Sequence, residues 1–557
     1  MSNRELADIF SLFSKLLDIH AVSENEAKLF STAAFQLKKM EANVFDLSSE
    51  TLLKMWQLGK IPAQKIIELK EHKKIQQLED LIAKTPNGII ELSKIKGLGP
   101  KKIAQLWKEL EIESPGELLY ACYENRLVKY KGFGEKTQQN IIEAIEFYNN
   151  NQQKFLFAEA ILINEKIKNF LELLFLKCWI NEVGNLLLQD DIIETFQFLI
   201  NIDDDEIEHV LKDKNEVSNI KRTDVGVSFL LFENYNIELI SSDEDEYRDN
   251  QFIFSFKNEA LEKIAELISE IETEPHWDDD TYFEELNLAF IPNALRHDIE
   301  NIELAAENNL PTLISTEDIK GIIHNHSTWS DGQNSIEEMA LACMQKGFEY
   351  FVISDHSKTS FYANGLTEIQ IEKQHQEIEM LNLKYPNFKI FKSIECDILS
   401  DGSLDYDTTI LSQFDLVICS VHQNLKMTEE KAMTRLLNAI ENPYTTILGH
   451  PTGRLLLSRK GYPIDHKKII DACAANRVAI EINANPRRLD MDYTWIKYAK
   501  NKNVLMSINP DAHSILGIDD IKYGVLSAQK GGLEPNNNLS SMNLQEFEAF
   551  LSLKHKQ

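Results

Sequence analysis

Positive charge is in short supply in this chain. Its 58 Lys and Arg face 89 Asp and Glu, which leaves a formal net charge of −31. That balance argues against broad, non-specific binding of nucleic acid, because phosphate contacts need cations. It leaves room for a local basic patch, and an acidic surplus also serves simply as a solvated surface. Cysteine is sparse as well. Cys122, Cys178, Cys343, Cys396, Cys419 and Cys473 form no C-x-x-C pair, which argues for reduced, mostly buried thiols and against a disulfide framework or zinc knuckle. No apolar run approaches the roughly 18–20 residues that span a bilayer. The most apolar stretch, around Phe170–Ile180, is broken by Glu172 and Lys177. The N-terminus, M-S-N-R-E-L-A-D-I-F, puts Arg and Glu where a secretory signal is apolar. The expectation is a cytoplasmic protein with no membrane partner.

What is present is enough chain for three or four domains at about 150 residues each, with 43% hydrophobic residues to build their cores. Residues 1–150 read as helical, because apolar residues recur at three- and four-residue spacing, as in Ile9, Leu12, Phe13, Leu16 and Leu17. Residues 155–290 are mixed, with short apolar runs such as Phe198–Ile202 and Val227–Phe232 between charged segments. An acidic stretch, Ser241–Glu246, reads as a loop, and residues 291–320, with Pro292 and Pro311, read as a connector. From Gly321 the texture changes. Short β-type runs (Gly321–His324, Tyr350–Ile353, Leu416–Val421, Thr445–Leu448, Val478–Ile482 and Val504–Ile508) alternate with helix-length segments, the pattern of a βα barrel.

Polar chemistry gathers at the ends of these runs. The first ends I-I-H-N-H-S-T-W-S-D-G, where His324 and His326, two apart, are expected on one face of a strand and Asp331 in a turn closed by Gly332. Others end with Asp355 and His356, with Glu395, with His422, with His450, and with Asp511 and His513. In a βα barrel the C-terminal strand ends meet on one rim. A lone His at a strand end is usually structural, but six runs ending this way predict a shared metal site. Imidazole and carboxylate suit zinc, manganese or iron. Nine side chains exceed the needs of one tetrahedral ion and suit two or three ions with bridging carboxylates. Such a cluster binds phosphoryl oxygens and acidifies a water for attack on phosphorus.

The motifs H-N-H-S-T-W-S-D-G, S-D-H-S, I-E-C-D-I, S-V-H, G-H-P and D-A-H resemble those of the PHP (polymerase and histidinol phosphatase) domain, from about Gly321 to Leu533. The resemblance implies a distorted βα barrel with a trinuclear metal site and phosphoesterase activity. It places metal ligands at His324, His326, Asp331, His356, Glu395, His422, His450, Asp511 and His513, with Asp355 orienting a neighbouring ligand.

The N-terminal half carries a repeat, I-K-G-L-G-P-K-K-I-A (Ile95–Ala104) and Y-K-G-F-G-E-K-T-Q-Q (Tyr130–Gln139). Glycines at 97, 99, 132 and 134 permit a tight turn and close backbone approach. The free N–H groups at a helix start hold a phosphate, and Lys101, Lys102 and Lys136 add local positive charge. The bland reading is a glycine-bearing helix connection. Two copies resemble the helix-hairpin-helix motif, which implies DNA as a partner, held by its backbone without sequence preference.

Two such motifs ahead of a PHP domain resemble the bacterial family X DNA polymerases (PolX) over nearly the whole chain, including the connector segments I-P-N-A-L-R and L-P-T-L-I-S-T-E-D-I-K-G. The resemblance implies a helical domain (1–80), a helix-hairpin-helix region (81–152), an α+β palm-like domain (153–290), a connector (291–320) and the PHP domain (321–557). The palm departs from the family pattern. That pattern opens Gly-Ser, followed by basic residues and two metal-binding aspartates. Registered on Gly184, Asn185 stands at the Ser, Leu187 and Leu188 at the basic positions, Thr195 and Gln197 at the aspartates, and Glu238 at the third carboxylate; Asp203–Asp205 fall in a loop beyond. Nucleotidyl transfer needs carboxylates around two magnesium ions, so the palm reads as inactive for polymerisation. The favoured function is a repair-related, metal-dependent 3′–5′ exonuclease. The alternatives are a small-molecule phosphatase of the histidinol-phosphate kind, a non-catalytic DNA-binding protein, and, if the register is wrong, an active polymerase.

Overall fold

The computed structural model describes residues 1–557 apart from 2, 38–39, 41–42, 56–57, 96, 129, 131, 150–152, 272–278 and 555–557. The chain forms two units: Met1–Cys122 with Tyr130–Tyr148, and Tyr123–Lys129 with Asn149–Gln557.

The first unit is helical throughout its described residues. Its opening helices, Asn3–Ile19 and Glu24–Leu37, bury Phe10, Phe13 and Phe30 against one another, with ring centroids 5.1 and 4.5 Å apart. The two Gly-x-Gly segments each lead into a helix, Pro100–Leu110 and Glu135–Asn149.

The second unit opens with a two-stranded ribbon, β1 (Phe155–Leu156) and β3 (Ile192–Ile193), and a five-stranded sheet. The sheet comprises β2 (Ile180–Val183), β4 (Phe196–Ile200), β5 (Val217–Arg222), β6 (Gly226–Leu231) and β7 (Tyr235–Ser241), in the order β2-β4-β7-β6-β5. Period-two alternation sets its faces. Phe196, Phe198 and Ile200 point into a core shared with the helices Phe157–Leu174 and Asp204–Leu211, while Gln197 points to the other face. Asp203–Asp205, expected in a loop, instead start the second of these helices. Asp203 caps it by accepting a hydrogen bond from Glu206 N at 2.8 Å, and acidic residues in a first turn oppose the helix dipole favourably.

Seven parallel strands follow, each hydrogen-bonded to the next in chain order: β8 (Gly321–Ile322), β9 (Tyr350–Ile353), β10 (Lys389–Asp397), β11 (Leu416–Ser420), β12 (Ile447–Leu448), β13 (Ala479–Asn483) and β14 (Met506–Asn509). Helices such as Glu368–Lys384, Glu429–Ile440 and His466–Asn476 connect them. The sheet curls towards closure. Beyond the strand ends Asn325 bridges Ala512, and His326 N donates to Ala512 O at 2.9 Å. Strands covered on both faces are buried throughout, as β11, β13 and β14 are along their whole lengths. One face packs on the helices. The other begins apolar, with Tyr350, Val352, Phe391, Leu416, Ile418, Ile447 and Ala479 against Phe547 and Leu551 of the C-terminal helix Leu544–Lys554. Further along each strand this same inward face turns polar: Phe391 gives way to Ser393, Glu395 and Asp397, Ile418 to Ser420, and Ala479 to Glu481 and Asn483. Among the described residues no helix is long and apolar enough to cross a membrane.

Candidate metal centre and helix-hairpin-helix region

Glu395 is the hub of the polar rim. Its carboxylate lies 3.3 Å from His324 Nε2, 3.7 Å from His326 Nε2, 2.8 Å from His356 Nδ1, 3.0 Å from His422 Nε2 and 2.9 Å from His450 Nε2. Asp511 approaches His326 Nε2 at 3.0 Å and His324 Nε2 at 3.5 Å. Asp331 lies 3.5 Å from both His356 Nε2 and His513 Nε2. Each of the nine side chains thus lies beside another of the set; eight of the residues are at most 6% exposed and His422 is half-buried. Among these nine, three overlapping groups have ligand atoms within 4.8 Å of one another: His326, Asp331, His356 and His513; His324, His326 and Asp511; His356, Glu395 and His422; His450 belongs to none of them.

His324 and His326 converge differently from the expectation. β8 ends at Ile322, so neither residue lies on a strand. The backbone at His324 has φ 64°, in the left-handed region, and Asp511 (φ 52°) shares that conformation. Left-handed backbone at non-glycine residues costs of order 1–3 kcal/mol and gathers at functional sites. Gly332 closes the loop to Asp331, because a Cβ there would sit 2.5 Å from the His326 carbonyl oxygen.

A further set of residues holds these side chains in place. Asp355 accepts hydrogen bonds from Ser327 N (2.8 Å), Ser327 Oγ (2.7 Å) and Gln374 Nε2 (2.7 Å), and also from Ser330 Oγ; it pins the loop that carries Asp331. Sequence reasoning missed several others. Glu481 lies 2.8 Å from His324 Nδ1 and accepts from His450 N at 2.8 Å. Asp397 lies 2.6 Å from His422 Nδ1, and Asn483 donates to Asp511 at 3.0 Å. The signal for Glu481 and Asn483 was parity on β13, where both follow the inward-facing Ala479.

Metal ions fit this arrangement. His324 Nε2, His326 Nδ1, Asp331 Oδ2, His356 Nε2, Glu395 Oε2 and His513 Nε2 are buried and form no hydrogen bond, and buried polar groups are rarely left so. Without metal, charge is balanced by protons. Burial lowers His324 and His356, but Glu481 and Asp511 around the first, and Asp331 and Glu395 around the second, raise both well above the usual imidazole range. Burial, with His513 and His356 nearby, pushes His326 down to about 3, and burial beside Arg488 does the same to His450. Cations would replace the protons and neutralise Asp331, Glu395 and Asp511, whose carboxyls stay well below their usual range despite burial because of the surrounding imidazoles.

In the helical unit the two Gly-x-Gly segments share a geometry. Gly97 (φ 93°) and Gly132 (φ 96°) take the left-handed backbone that glycine tolerates. Leu98 and Phe133, the middle residues, are buried. Gly99 caps the helix Pro100–Leu110 with φ −79°, and a Cβ at Gly99 or Gly134 would meet nothing within 4 Å. Lys101 pairs with Glu24 at 2.9 Å on the surface, Lys102 lies 5.6 Å from the Phe133 ring centroid, and Lys136 is exposed. The lysines ahead of each Gly-x-Gly, Lys96 and Lys131, lie outside the described residues.

In the five-stranded sheet Gln197 of β4 pairs with Glu238 of β7, and Gln197 Nε2 donates to Glu238 at 2.9 Å. A Cβ on Gly184 (φ 68°) would lie 2.1 Å from Gln197 Oε1. Gly184, Gln197 and Glu238 thus stand together.

A model of the SAM-like helix-hairpin-helix tandem matches residues 89–146, and a PHP domain model matches residues 323–485. The DNA polymerase/3′-5′ exonuclease PolX of Bacillus subtilis (strain 168) is 32% identical over 99% of this chain and 99% of its own. A probable phosphatase of Thermoanaerobacter sp. (strain X514) is 29% identical over 34% of this chain and 77% of its own. Among solved structures, histidinol phosphate phosphatase from Lactococcus lactis subsp. lactis Il1403, complexed with zinc, L-histidinol and phosphate, matches with a TM-score of 0.30 and 19% identity, over 39% of this chain and 95% of that one. With one similarity running end to end and both domain models in their places, the chain belongs to the PolX family and carries its helix-hairpin-helix and PHP domains.

Proposed function

We propose that this chain is a cytoplasmic, metal-dependent phosphoesterase that shortens DNA from the 3′ end. The observation that carries this reading is the rim of buried nitrogen and oxygen atoms without hydrogen bonds, gathered around Glu395. His324, His326, Asp331, His356, Glu395, His422, His450, Asp511 and His513 would hold two or three ions of manganese, zinc or iron. Such ions, when bound, offset phosphoryl charge and make water acidic enough to serve as a nucleophile near neutral pH. Glu481 and Asp397 fix the rings of His324 and His422, and Asp355 fixes the Asp331 loop.

DNA is the favoured substrate because Gly99 and Gly134 need be glycine neither for backbone conformation nor for internal space. An approaching phosphate accounts for both. Gly97, Gly132, Lys101, Lys102 and Lys136 complete the proposed backbone contact. The relative from Bacillus subtilis, named a DNA polymerase/3′-5′ exonuclease, supports this choice. The palm is proposed to be inactive for polymerisation, since Thr195 and Gln197 bring no charge to a magnesium site.

The test offers end-labelled single-stranded DNA and histidinol phosphate, each with Mn²⁺ and with chelator. We expect shortening from the 3′ end that needs Mn²⁺. Replacing His324 and His326 together with Ala should lower it by at least about 100-fold, given the 10–100-fold cost of losing even a supporting residue. Undiminished activity in that variant, or after exhaustive chelation, sinks the metal site. Hydrolysis of histidinol phosphate with DNA left intact would favour a small-molecule phosphatase, the reading to which a net charge of −31 also leans.

A further inference from the structure

Outside the PHP domain, one carboxylate reaches the proposed metal centre. Glu124 belongs to the short segment Tyr123–Lys129, which lies between the two Gly-x-Gly repeats in sequence and is part of the second unit. It is 2% exposed. Its ligand atoms and those of Asp511 and His513 all lie within 4.8 Å of one another. Apart from the Arg126 guanidinium, 2.5 Å away, neither Glu124 oxygen has a hydrogen-bond donor. Arg126 itself reaches to 3.8 Å from Asp331, and the Arg487 guanidinium lies 5.0 Å from the Tyr123 ring centroid, which anchors the start of the segment.

This placement is costly unless the pocket holds more positive charge than its guanidinium groups supply. Two carboxylates, Glu124 and Asp511, face each other in a buried pocket, where the Arg126 guanidinium is shared between Glu124 and Asp331 and the Arg488 guanidinium stands off at 3.9 Å from Asp511. Burying a charge without full compensation costs several kcal/mol. A divalent ion between Glu124, Asp511 and His513 removes that penalty with two oxygens and one nitrogen, a donor set suited to zinc or manganese.

We propose that Glu124 is a tenth ligand of the metal centre, shared with Asp511 and His513, so that the linker between the DNA-gripping repeats completes the cutting site. The inference rests on the phosphoesterase reading above.

The experiment strips the full-length protein of metal and titrates it with Mn²⁺, reading bound equivalents by electron paramagnetic resonance beside 3′-end shortening of DNA. Glu124→Gln should lose one equivalent or weaken it about tenfold or more, and Glu124→Asp should recover part of it. The melting temperature of the metal-free Gln variant should match or exceed that of the parent, since a buried charge has been removed. Equal Mn²⁺ stoichiometry and affinity in Glu124→Gln and the parent would overturn the proposal. So would faster DNA shortening with unchanged metal binding, which would make the segment a plug. The His324→Ala/His326→Ala variant separates the two claims: if it binds Mn²⁺ as the parent does, the metal centre itself fails, whatever Glu124 does.

Discussion

At the scale of single residues, the centre is a set of imidazoles whose orientation is decided one hydrogen bond away. Glu481 shows this most clearly. It holds His324 Nδ1 with one oxygen and the backbone N–H of His450 with the other, each at 2.8 Å. That leaves His324 Nε2 facing Glu395 and Asp511. Glu481→Gln keeps the shape but offers His324 an amide in place of a carboxylate. We expect metal affinity to fall about 10- to 100-fold, measured by competition with a chromogenic chelator, while the fold is retained by circular dichroism. Unchanged affinity would mean that packing alone orients His324. Most ligand-type residues were legible in the sequence, because each ends an apolar run and a run of that length has few ways to place its last residue. Glu481 and Asn483 were harder to see. They sit inside a run instead of after it, and only inward parity on β13 distinguishes them from core. Glu124 carried no local signal at all, since its role depends on a contact hundreds of residues away in sequence.

At the scale of elements, each Gly-x-Gly segment divides labour between its glycines. The first, Gly97 or Gly132, supplies a left-handed turn. The second, Gly99 or Gly134, leaves open space at the start of a helix. Gly97→Ala should therefore destabilise the helical unit by about 1–2 kcal/mol, the cost of left-handed backbone with a Cβ, visible as a lower melting temperature. Gly99→Ala should change stability by less than about 1 kcal/mol yet weaken DNA binding in a filter or anisotropy assay. If both substitutions change stability alone, the repeats are only helix connections. Helices and repeats were readable from spacing in this half. The H-x-H segment was misread as strand because apolar residues continue up to Ile323, whereas pairing stops at Ile322 and the chain turns at His324. Asp203–Asp205 were misread as loop because an acidic run is equally at home in a loop and in the first turn of a helix.

At the scale of the whole molecule, the five-stranded sheet precedes the seven-stranded parallel sheet in the same unit. The two are joined by ion pairs. Arg454 lies 3.5 Å from Asp191, Lys530 pairs with the same carboxylate, and Arg487 lies 3.1 Å from Glu159. In the sheet, Glu238 is hydrogen-bonded to Gln197 instead of facing a second carboxylate. We expect no template-directed extension of a primer with Mg²⁺ or Mn²⁺. Extension that survives Ala at His324 and His326 but disappears in Glu238→Gln would show a working palm. The closure of the barrel has its own consequence. His326, near the first strand, takes its backbone partner from Ala512, beyond the last, and Asp511 and His513 flank that contact. Two of the three groups of ligand-type side chains around Glu395 and Asp331 thus take a member, Asp511 or His513, from beyond the last strand, while His356, Glu395 and His422 do not need it. Cutting the chain before β14 would therefore leave the sheet open and remove a side chain from two groups at once.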